Sequence, residues 1–388
     1  MKTIELPASK SLSARALIIN ALAEKSCRLV NLSDCDDTKA MLQGIESQEV
    51  VNVGPAGTAM RFLTAFYAVQ EGKNVLLTGS ERMLKRPVRL LVEALKTLGA
   101  DIEYAGEEGF PPLKIHGKKL TGSEVRLSAG ISSQYISALM MVAPTLENGL
   151  TLHLEGKIAS RPYIEMTRGL MKEWGAETIW KDYSIVVPAQ KYQRNDDFEI
   201  ESDWSAASYF FEALSVGYFN ENLCLKGLKI NSLQGDAKIV EHFGKLGVKT
   251  CETCDGIVLS PCPAPSISVL EMDFTDIPDM AQTFVVTACL RGVPFKFTGL
   301  ESLKIKETDR VAALMNECEK LGWKLTEKGV GTLVFDGISH HPTDFRVATY
   351  DDHRMAMSFA PARCKFPEIV IENPGVVSKS FPNFWKFL

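Results

Sequence analysis

Four stretches of this chain close in the same way, and that recurrence limits the fold more than any other feature. RPVRLLVEALKTLGA, RPYIEMTRGLMKEWGA, GDAKIVEHFGKLGV and KETDRVAALMNECEKLGW end on Gly99, Gly175, Gly247 and Gly322, at intervals of 76, 72 and 75 residues. Apolar residues at helical spacing predict an amphipathic helix in each, and the glycine suits the left-handed backbone of a helix C-terminus. A strand-like run follows each one: ADIEYA, AETIW, VKTCE and WKLTE. Self-similarity at a fixed period means one supersecondary unit copied along the chain.

A second helix type alternates with the first. SARALIINALAEK, GTAMRFLTAFYAV, SSQYISALMMVAP, SAASYFFEALSVG, MAQTFVVTACLRG and HRMAMSFAPARCK are six copies of one theme. Each opens on small or polar residues and then turns apolar nearly all round, which predicts a buried helix. A strand follows every copy: CRLVNL, NVLLTG, GLTLHLEG, LCLKGL, VPFKFTG and EIVIEN. The unit reads as strand, helix, strand, helix and further strands, six times over, an α/β (α+β) chain. The first unit is short, with 45 residues from Ser13 to Thr58 against 75 from Thr58 to Ser133. A helix end and strands are therefore expected to be missing between Leu42 and Val53.

At 388 residues the chain is too long for one ordinary core,. Six units divide into two groups of three, giving a discontinuous domain, 1–8 with 202–388, and an inserted one, 9–201. A small-molecule site is expected in the cleft between two such domains.

With 45% hydrophobic and 23% charged residues and a formal net charge of −5, nothing global points to nucleic acid or an anionic membrane. Any anionic substrate must be drawn by local Lys and Arg, which should leave an empty site with excess positive charge. The start, MKTIELPASKSLSARALIINALA, lacks a basic segment leading into a long apolar run. A cytoplasmic protein is the expectation. Nine irregularly spaced cysteines suit a reducing compartment better than a disulfide framework,. Cys251, Cys254 and Cys262 include a C-x-x-C, but no His nearby supplies a fourth ligand, so no metal is expected.

Six groups concentrate charge and hydrogen-bonding side chains. Ser9-Lys10-Ser11 with Arg15 and Ala56-Gly57-Thr58 with Arg61 open buried-type helices, where free N–H groups and a Gly favour an anion. Gly79 to Pro87 includes Arg86, suited to a bidentate clamp on carboxylate or phosphate. Ser132-Ser133-Gln134 and Ser160-Arg161-Pro162-Tyr163 stand at further helix starts. The C-terminal half holds Asp279, Lys306-Glu307-Thr308-Asp309-Arg310, Asp351-Asp352-His353-Arg354 and Ser378-Lys379-Ser380. Taken singly, each is more often a helix cap or a solvated charge. Their recurrence at equivalent points of the repeat is what points to convergence on one site.

Read in order, LPASKSLSARAL, PAGTAMR, GSERMLKRP, SSQYISAL, SRPYIEM, DIPDMAQT, KETDR, DDHRMAM and SKSFPNF resemble the 5-enolpyruvylshikimate-3-phosphate synthases, enolpyruvyl transferases also called 3-phosphoshikimate 1-carboxyvinyltransferases. The resemblance implies two domains of three βαβαββ units, here with the first unit shortened. It implies transfer of the enolpyruvyl group of phosphoenolpyruvate to shikimate 3-phosphate, a step of aromatic amino-acid biosynthesis, with no cofactor. Lys10, Ser11, Arg15, Ser132, Ser133, Ser160, Tyr163, Asp279, Ser302 and Lys306 would hold shikimate 3-phosphate. Lys10, Gly57, Arg86, Gln134, Glu307, Arg310, Arg354 and Lys379 would hold phosphoenolpyruvate. Asp279, Glu307 and Lys10 would be catalytic. The partners implied are the two small molecules, with no nucleic acid or membrane and a monomeric chain.

Three positions depart from the family pattern: Pro55 replaces an Asn, Phe62 a Pro, and Ser302 an Asn used by some members. Phe62 is expected to reposition the helix that carries Gly57. Two alternatives remain at this stage. A related transferase acting on UDP-N-acetylglucosamine would need a reactive Cys in the inserted domain, where only Cys27 and Cys35 occur. The other is a non-catalytic relative that keeps the fold.

Overall fold

Gly99, Gly175, Gly247 and Gly322 have φ of 101°, 77°, 83° and 85°, a backbone that a Cβ resists. The repeat inferred from them is present in three dimensions. The computed structural model describes residues 1–128, 130 and 132–388. The chain divides into two units, Met1–Pro7 with Glu201–Leu388, and Ala8–Ile200. Each has its own apolar core.

After β1 (Lys2–Ile4) the chain enters the inserted unit through α1 (Lys10–Leu22), β2 (Leu29–Val30) and α2 (Asp36–Glu46). There follow β3 (Val50–Asn52), α3 (Gly57–Ala68), β4 (Asn74–Thr78), α4 (Arg89–Thr97), β5 (Asp101–Tyr104) and β6 (Leu113–His116). Next come β7 (Glu124–Ser128), α5 (Ser133–Val142), β8 (Leu150–Glu155), α6 (Arg161–Glu173), β9 (Ile179–Lys181), β10 (Ser184–Val187) and β11 (Phe198–Glu199).

The larger unit continues with α7 (Trp204–Ser215), β12 (Leu223–Lys226), α8 (Ile239–Gly244), β13 (Val248–Thr253) and β14 (Gly256–Pro261). Then come β15 (Leu270–Asp273), α9 (Ala281–Arg291), β16 (Phe295–Thr298), α10 (Arg310–Lys320), β17 (Thr326–Glu327) and β18 (Leu333–Phe335). Last are β19 (Arg346–Val347), α11 (His353–Phe359) and β20 (Val370–Ile371).

Four sheets share one plan, in the orders β3-β4-β6-β5, β7-β8-β10-β9, β1-β12-β14-β13 and β15-β16-β18-β17. In each the first pair is parallel and the remaining pairs are antiparallel. The two remaining sheets, β11-β2 and β19-β20, are single parallel pairs. Two details correct the sequence reading. In the first unit α2 is a whole helix of 11 residues, so the missing part is its closing strands rather than a helix end. The sixth unit is also reduced, for 3-10 turns at Pro374–Lys379 and Phe384–Lys386 follow β20.

The apolar helices are the inner ones. Every residue of α3 except Thr58 is buried, as its nearly unbroken apolar sequence requires. Helices α1, α3 and α5 pack together in one unit, and α7, α9 and α11 in the other. In three of the four-stranded sheets the inner helix (α3, α5 or α9) links the two parallel strands directly and so starts at their C-terminal edge, while between β1 and β12 the whole inserted unit precedes α7,. Hydrogen bonds between helix starts show that they gather within each unit: Gln134 of α5 to Thr58 of α3, and Arg354 of α11 to Ser205 of α7. Among the described residues no helix is long and apolar enough to cross a membrane.

Candidate active site

In the inserted unit, Ser9 caps α1 by accepting a hydrogen bond from the Leu12 N–H, which leaves Lys10 and Ser11 in the first turn. One turn later, Arg15 is only 2% exposed. Its Nε donates to Thr167 Oγ1 at 2.8 Å, Nη1 to the Ser11 carbonyl at 2.9 Å, and Nη2 to Ser137 Oγ and the Tyr163 carbonyl at 3.3 and 3.4 Å. All four acceptors are neutral. Burial pushes its pKa down to about 10, with Tyr163 opposing, so the group is still a cation at neutral pH.

Arg15 therefore joins α1, α5 and α6, and fixes Ser11 relative to Tyr163. Ser137 and Thr167, its other anchors, were not singled out from sequence. For Ser137 a signal was available, a hydroxyl inside a helix that is apolar nearly all round, where a polar group needs a partner,. Thr167, by contrast, lies in the amphipathic α6.

Phe62 packs against the guanidinium of Arg15. Helix α3 runs unbroken from Gly57 to Ala68, and the Phe62 ring is fully buried with its centroid 5.3 Å from the Arg15 guanidinium. A Pro here would remove a helix hydrogen bond. Phe restores the bond and adds an aromatic face to the cation. Pro55 is exposed, just before the helix.

Helix α3 begins at Gly57 with no side-chain cap, so its first N–H groups are open to an anion. A Cβ on Gly57 would come within 2.5 Å of Arg86 Nη1. The guanidinium thus lies across the helix start, where a side chain at position 57 would displace it. Gln134 Nε2 donates to Thr58 Oγ1 at 3.2 Å. The structure brings Gly57, Arg86 and Gln134 together.

Ser132 caps α5, Ser133 is its first residue, and Ser160, at φ 55°, precedes α6. Lys10 Nζ lies 3.2 Å from Oδ2 of Asp37, a nearly buried residue of α2 that sequence reasoning missed.

The larger unit builds a different kind of cluster. Arg310, the first residue of α10, is 1% exposed. Its Nε donates to Asp352 Oδ2 at 2.7 Å and Nη1 to Asp279 Oδ1 at 2.9 Å. Nη2 donates to Glu307 Oε2 at 2.9 Å and Asp352 Oδ1 at 3.3 Å. Burial alone would lower its pKa, but Asp352, Glu307 and Asp279 outweigh that and raise it.

Asp279 also receives Arg354 Nη2 at 3.0 Å and has Lys306 Nζ at 3.7 Å. Burial acts to raise its pKa, yet Arg354, Lys306 and Arg310 hold it well below the usual carboxylate range, with Glu307 opposing. Lys379 Nζ lies 2.8 Å from Glu307 Oε1. Ser302, half-buried on the 3-10 turn Glu301–Ile305, makes no hydrogen bond to this cluster among the described residues.

Four cations and three carboxylates make up this cluster, which leaves it one positive charge in excess. In this unit Lys306, Arg310, Arg354 and Lys379 face Asp279, Glu307 and Asp352, and each cation is already paired with a carboxylate. Asp352 had been noted only as part of a charged segment. Here it caps α11 through the Arg354 N–H and clamps Arg310. Chemically the cluster offers one carboxylate held ionised by three cations and a second carried between an Arg and a Lys. No group of His, Cys, Asp and Glu able to hold a metal occurs among the described residues.

Comparisons with known proteins agree on one family. The sequence profile described as EPSP synthase (3-phosphoshikimate 1-carboxyvinyltransferase) matches residues 1–47 and 43–388, its break falling where the first unit is short. A 3-phosphoshikimate 1-carboxyvinyltransferase of Bacteroides fragilis (strain YCH46) is 52% identical over 389 residues, which is 100% of this chain and 94% of the relative. One from Vibrio atlanticus (strain LGP32) is 36% identical over 411 residues, covering 98% and 95%. In fold, the chain is similar to the EPSP synthase structure from Acinetobacter baumannii, with a TM-score of 0.78, 20% identity, and 99% and 94% of the two chains covered. With its repeat, its two clusters of helix starts and these full-length matches, the chain belongs to the EPSP synthase (3-phosphoshikimate 1-carboxyvinyltransferase) family.

Proposed function

We propose that the protein transfers the enolpyruvyl group of phosphoenolpyruvate to the 5-hydroxyl of shikimate 3-phosphate and releases phosphate. The observation that carries this reading is Arg310, one buried guanidinium that holds Asp279 and Glu307 on its two terminal nitrogens. Addition followed by elimination needs two such carboxylates, one to take a proton and one to give it. Phosphoenolpyruvate draws Arg310 and Lys379 away from Glu307, which takes up a proton and delivers it to the methylene of phosphoenolpyruvate, making the central carbon cationic. The 5-hydroxyl oxygen attacks that carbon, and its proton goes to Asp279, which its three cations keep ionised. The Glu307 carboxylate takes back a methyl proton while phosphate departs with the proton held by Asp279, which restores the double bond.

Lys10, Ser11, Arg15, Ser132, Ser133, Ser160, Tyr163, Ser302 and Lys306 are assigned to shikimate 3-phosphate. Gly57, Arg86, Gln134, Arg310, Arg354 and Lys379 are assigned to phosphoenolpyruvate, with Lys10 adjacent to both. The open helix start at Gly57 and the uncompensated charge of Arg15 support an anionic ligand. Both residue sets serve the one reaction, in a cytoplasmic monomer acting on small molecules.

The UDP-N-acetylglucosamine reading lacks its nucleophile. Cys35 is buried, and burial first, with Asp196 and Asp197 adding to it, raises the pKa of Cys27 against Arg194. A reactive thiol needs the opposite shift.

The test is phosphate release with both substrates together and with each alone. Release that requires the pair is the expected result. Release from phosphoenolpyruvate without shikimate 3-phosphate, or none at all, rejects the assignment.

A further inference from the structure

Seven residues beyond Arg310 on α10 lies Glu317, a carboxylate with no solvent exposure. Its Oε1 accepts hydrogen bonds from Lys320 Nζ at 3.0 Å and from the Tyr350 hydroxyl at 2.7 Å. Its Oε2 accepts from Lys320 Nζ at 2.8 Å and from the Ala348 N–H at 3.0 Å. Residues i and i+7 share a helix face and are about 10 Å apart. Helix α10 therefore grips residues 348–352 at two points: Glu317 on Ala348 and Tyr350, and Arg310 on Asp352.

The segment it grips is strained. Tyr350 and Asp351 have φ of 55° and 54°, consecutive left-handed residues without a glycine. Each such residue costs on the order of 1 kcal/mol or more and persists only where its surroundings impose it. Asp352 N–H closes the turn on the Thr349 carbonyl at 2.8 Å, and Asn373 Nδ2 holds Asp351 Oδ1 at 2.9 Å. The turn delivers Asp352, whose two oxygens fix Nε and Nη2 of Arg310 and cap the helix carrying Arg354. With those nitrogens fixed, Nη1 must point to Asp279, and Nη2 is shared with Glu307.

We infer that Glu317 is a positioning residue: it holds the strained Tyr350–Asp352 turn and thereby sets the aim of Arg310 and Arg354. The inference rests on the proposed function for its kinetic consequence, but the strap itself is testable without turnover.

Glu317→Gln keeps the shape but removes the charge, and at most one side-chain oxygen can still accept. Tyr350→Phe removes one strap bond at a half-buried position and is the variant expected to fold in any case. In both, hydrogen exchange of the peptide spanning 348–354 should quicken, by about tenfold in Glu317→Gln, the loss expected for one hydrogen bond. KM for phosphoenolpyruvate should rise by a similar factor, while KM for shikimate 3-phosphate stays within about twofold. A lower melting temperature with both KM values unchanged means that Glu317 only stabilises the fold, and overturns the inference. Unchanged exchange in both variants overturns it too. If the parent protein turns over neither substrate, the proposed function fails, and the exchange result alone decides the strap.

Discussion

Both units gather the starts of three inner helices, but they treat their arginines in opposite ways, although Lys10 of the inserted unit is paired with Asp37. In the inserted unit Arg15 is buried among neutral acceptors, and Arg86 lies across an uncapped helix start without an ion pair among the described residues. In the larger unit Lys306, Arg310, Arg354 and Lys379 are each matched to a carboxylate. A buried cation with no counterion is costly, and an arriving anion relieves that cost. A buried cation already paired gains less from a new anion and instead fixes the charge state of its partners. One fold element, repeated, thus leaves a buried cation among neutral acceptors in one place and a network of paired charges in the other.

The largest effect expected is on catalysis. Asp279→Asn keeps the shape of the side chain and removes its basicity, so kcat in phosphate release should fall about 10²–10⁴-fold with far smaller changes in KM. A kcat within a few-fold of the parent would end the division of labour drawn above.

Next comes a stability contrast between the two arginines. Arg310→Met leaves three carboxylates facing one another in a buried site and should cost about 3–5 kcal/mol. Arg15→Met strands only neutral acceptors, and the loss should be nearer 1–3 kcal/mol. Equal losses in denaturant unfolding would show that the two environments are not distinct in energy.

Gly57→Ala probes the open helix start. The added methyl must displace the Arg86 guanidinium, so KM for phosphoenolpyruvate should rise roughly tenfold, the loss of one charge-assisted hydrogen bond. Thermal stability should hold, because Ala is the better helix former.

The smallest effect concerns pH. Asp236, buried and bonded to Ser205, has its pKa pushed up to about 6 by burial, although Ser205 and Arg354 pull it down. The folded protein keeps a proton that the unfolded chain releases near pH 4. Stability from this group is therefore lost as pH rises from about 4 to about 6, and Asp236→Asn should flatten that decline, by roughly 2–3 kcal/mol at most. Asp279 has the opposite sign. Its depressed pKa contributes stability above about pH 4 that disappears as the pH falls further. Melting curves of the parent and Asp236→Asn between pH 4 and pH 8 separate the two.

Much of this architecture was legible beforehand. The inner helices are apolar on nearly every face, and their strands follow at once, so burial and element type were both written in local composition. The reduced sixth unit was not legible, because VVSKSFPNF reads equally well as a helix start or as turns, and only the packing of Phe381 and Phe384 into the core separates them. Charged residues at helix starts identified Asp279, Glu307, Arg310 and Arg354 as candidates. Asp37, Thr167 and Glu317 escaped notice, since each sits in an amphipathic stretch where a polar residue usually faces water. Ser137, in a helix apolar nearly all round, carried a signal that was passed over.

The sequence by itself determined the repeat, the sites of its caps, the family and most of the side chains that could do chemistry. Those are properties of neighbouring residues: periodicity decides which face is buried, and glycine decides where the backbone may turn left-handed. Only the tertiary structure decided who pairs with whom. Arg15 meets Thr167 across 152 residues, Arg354 meets Asp279 across 75, and Arg310 meets Asp352 across 42. Local pattern does not specify such partners, because the energy of a buried charge depends on what the folded chain brings to within 3 Å or so of it, and that is set by packing between repeats.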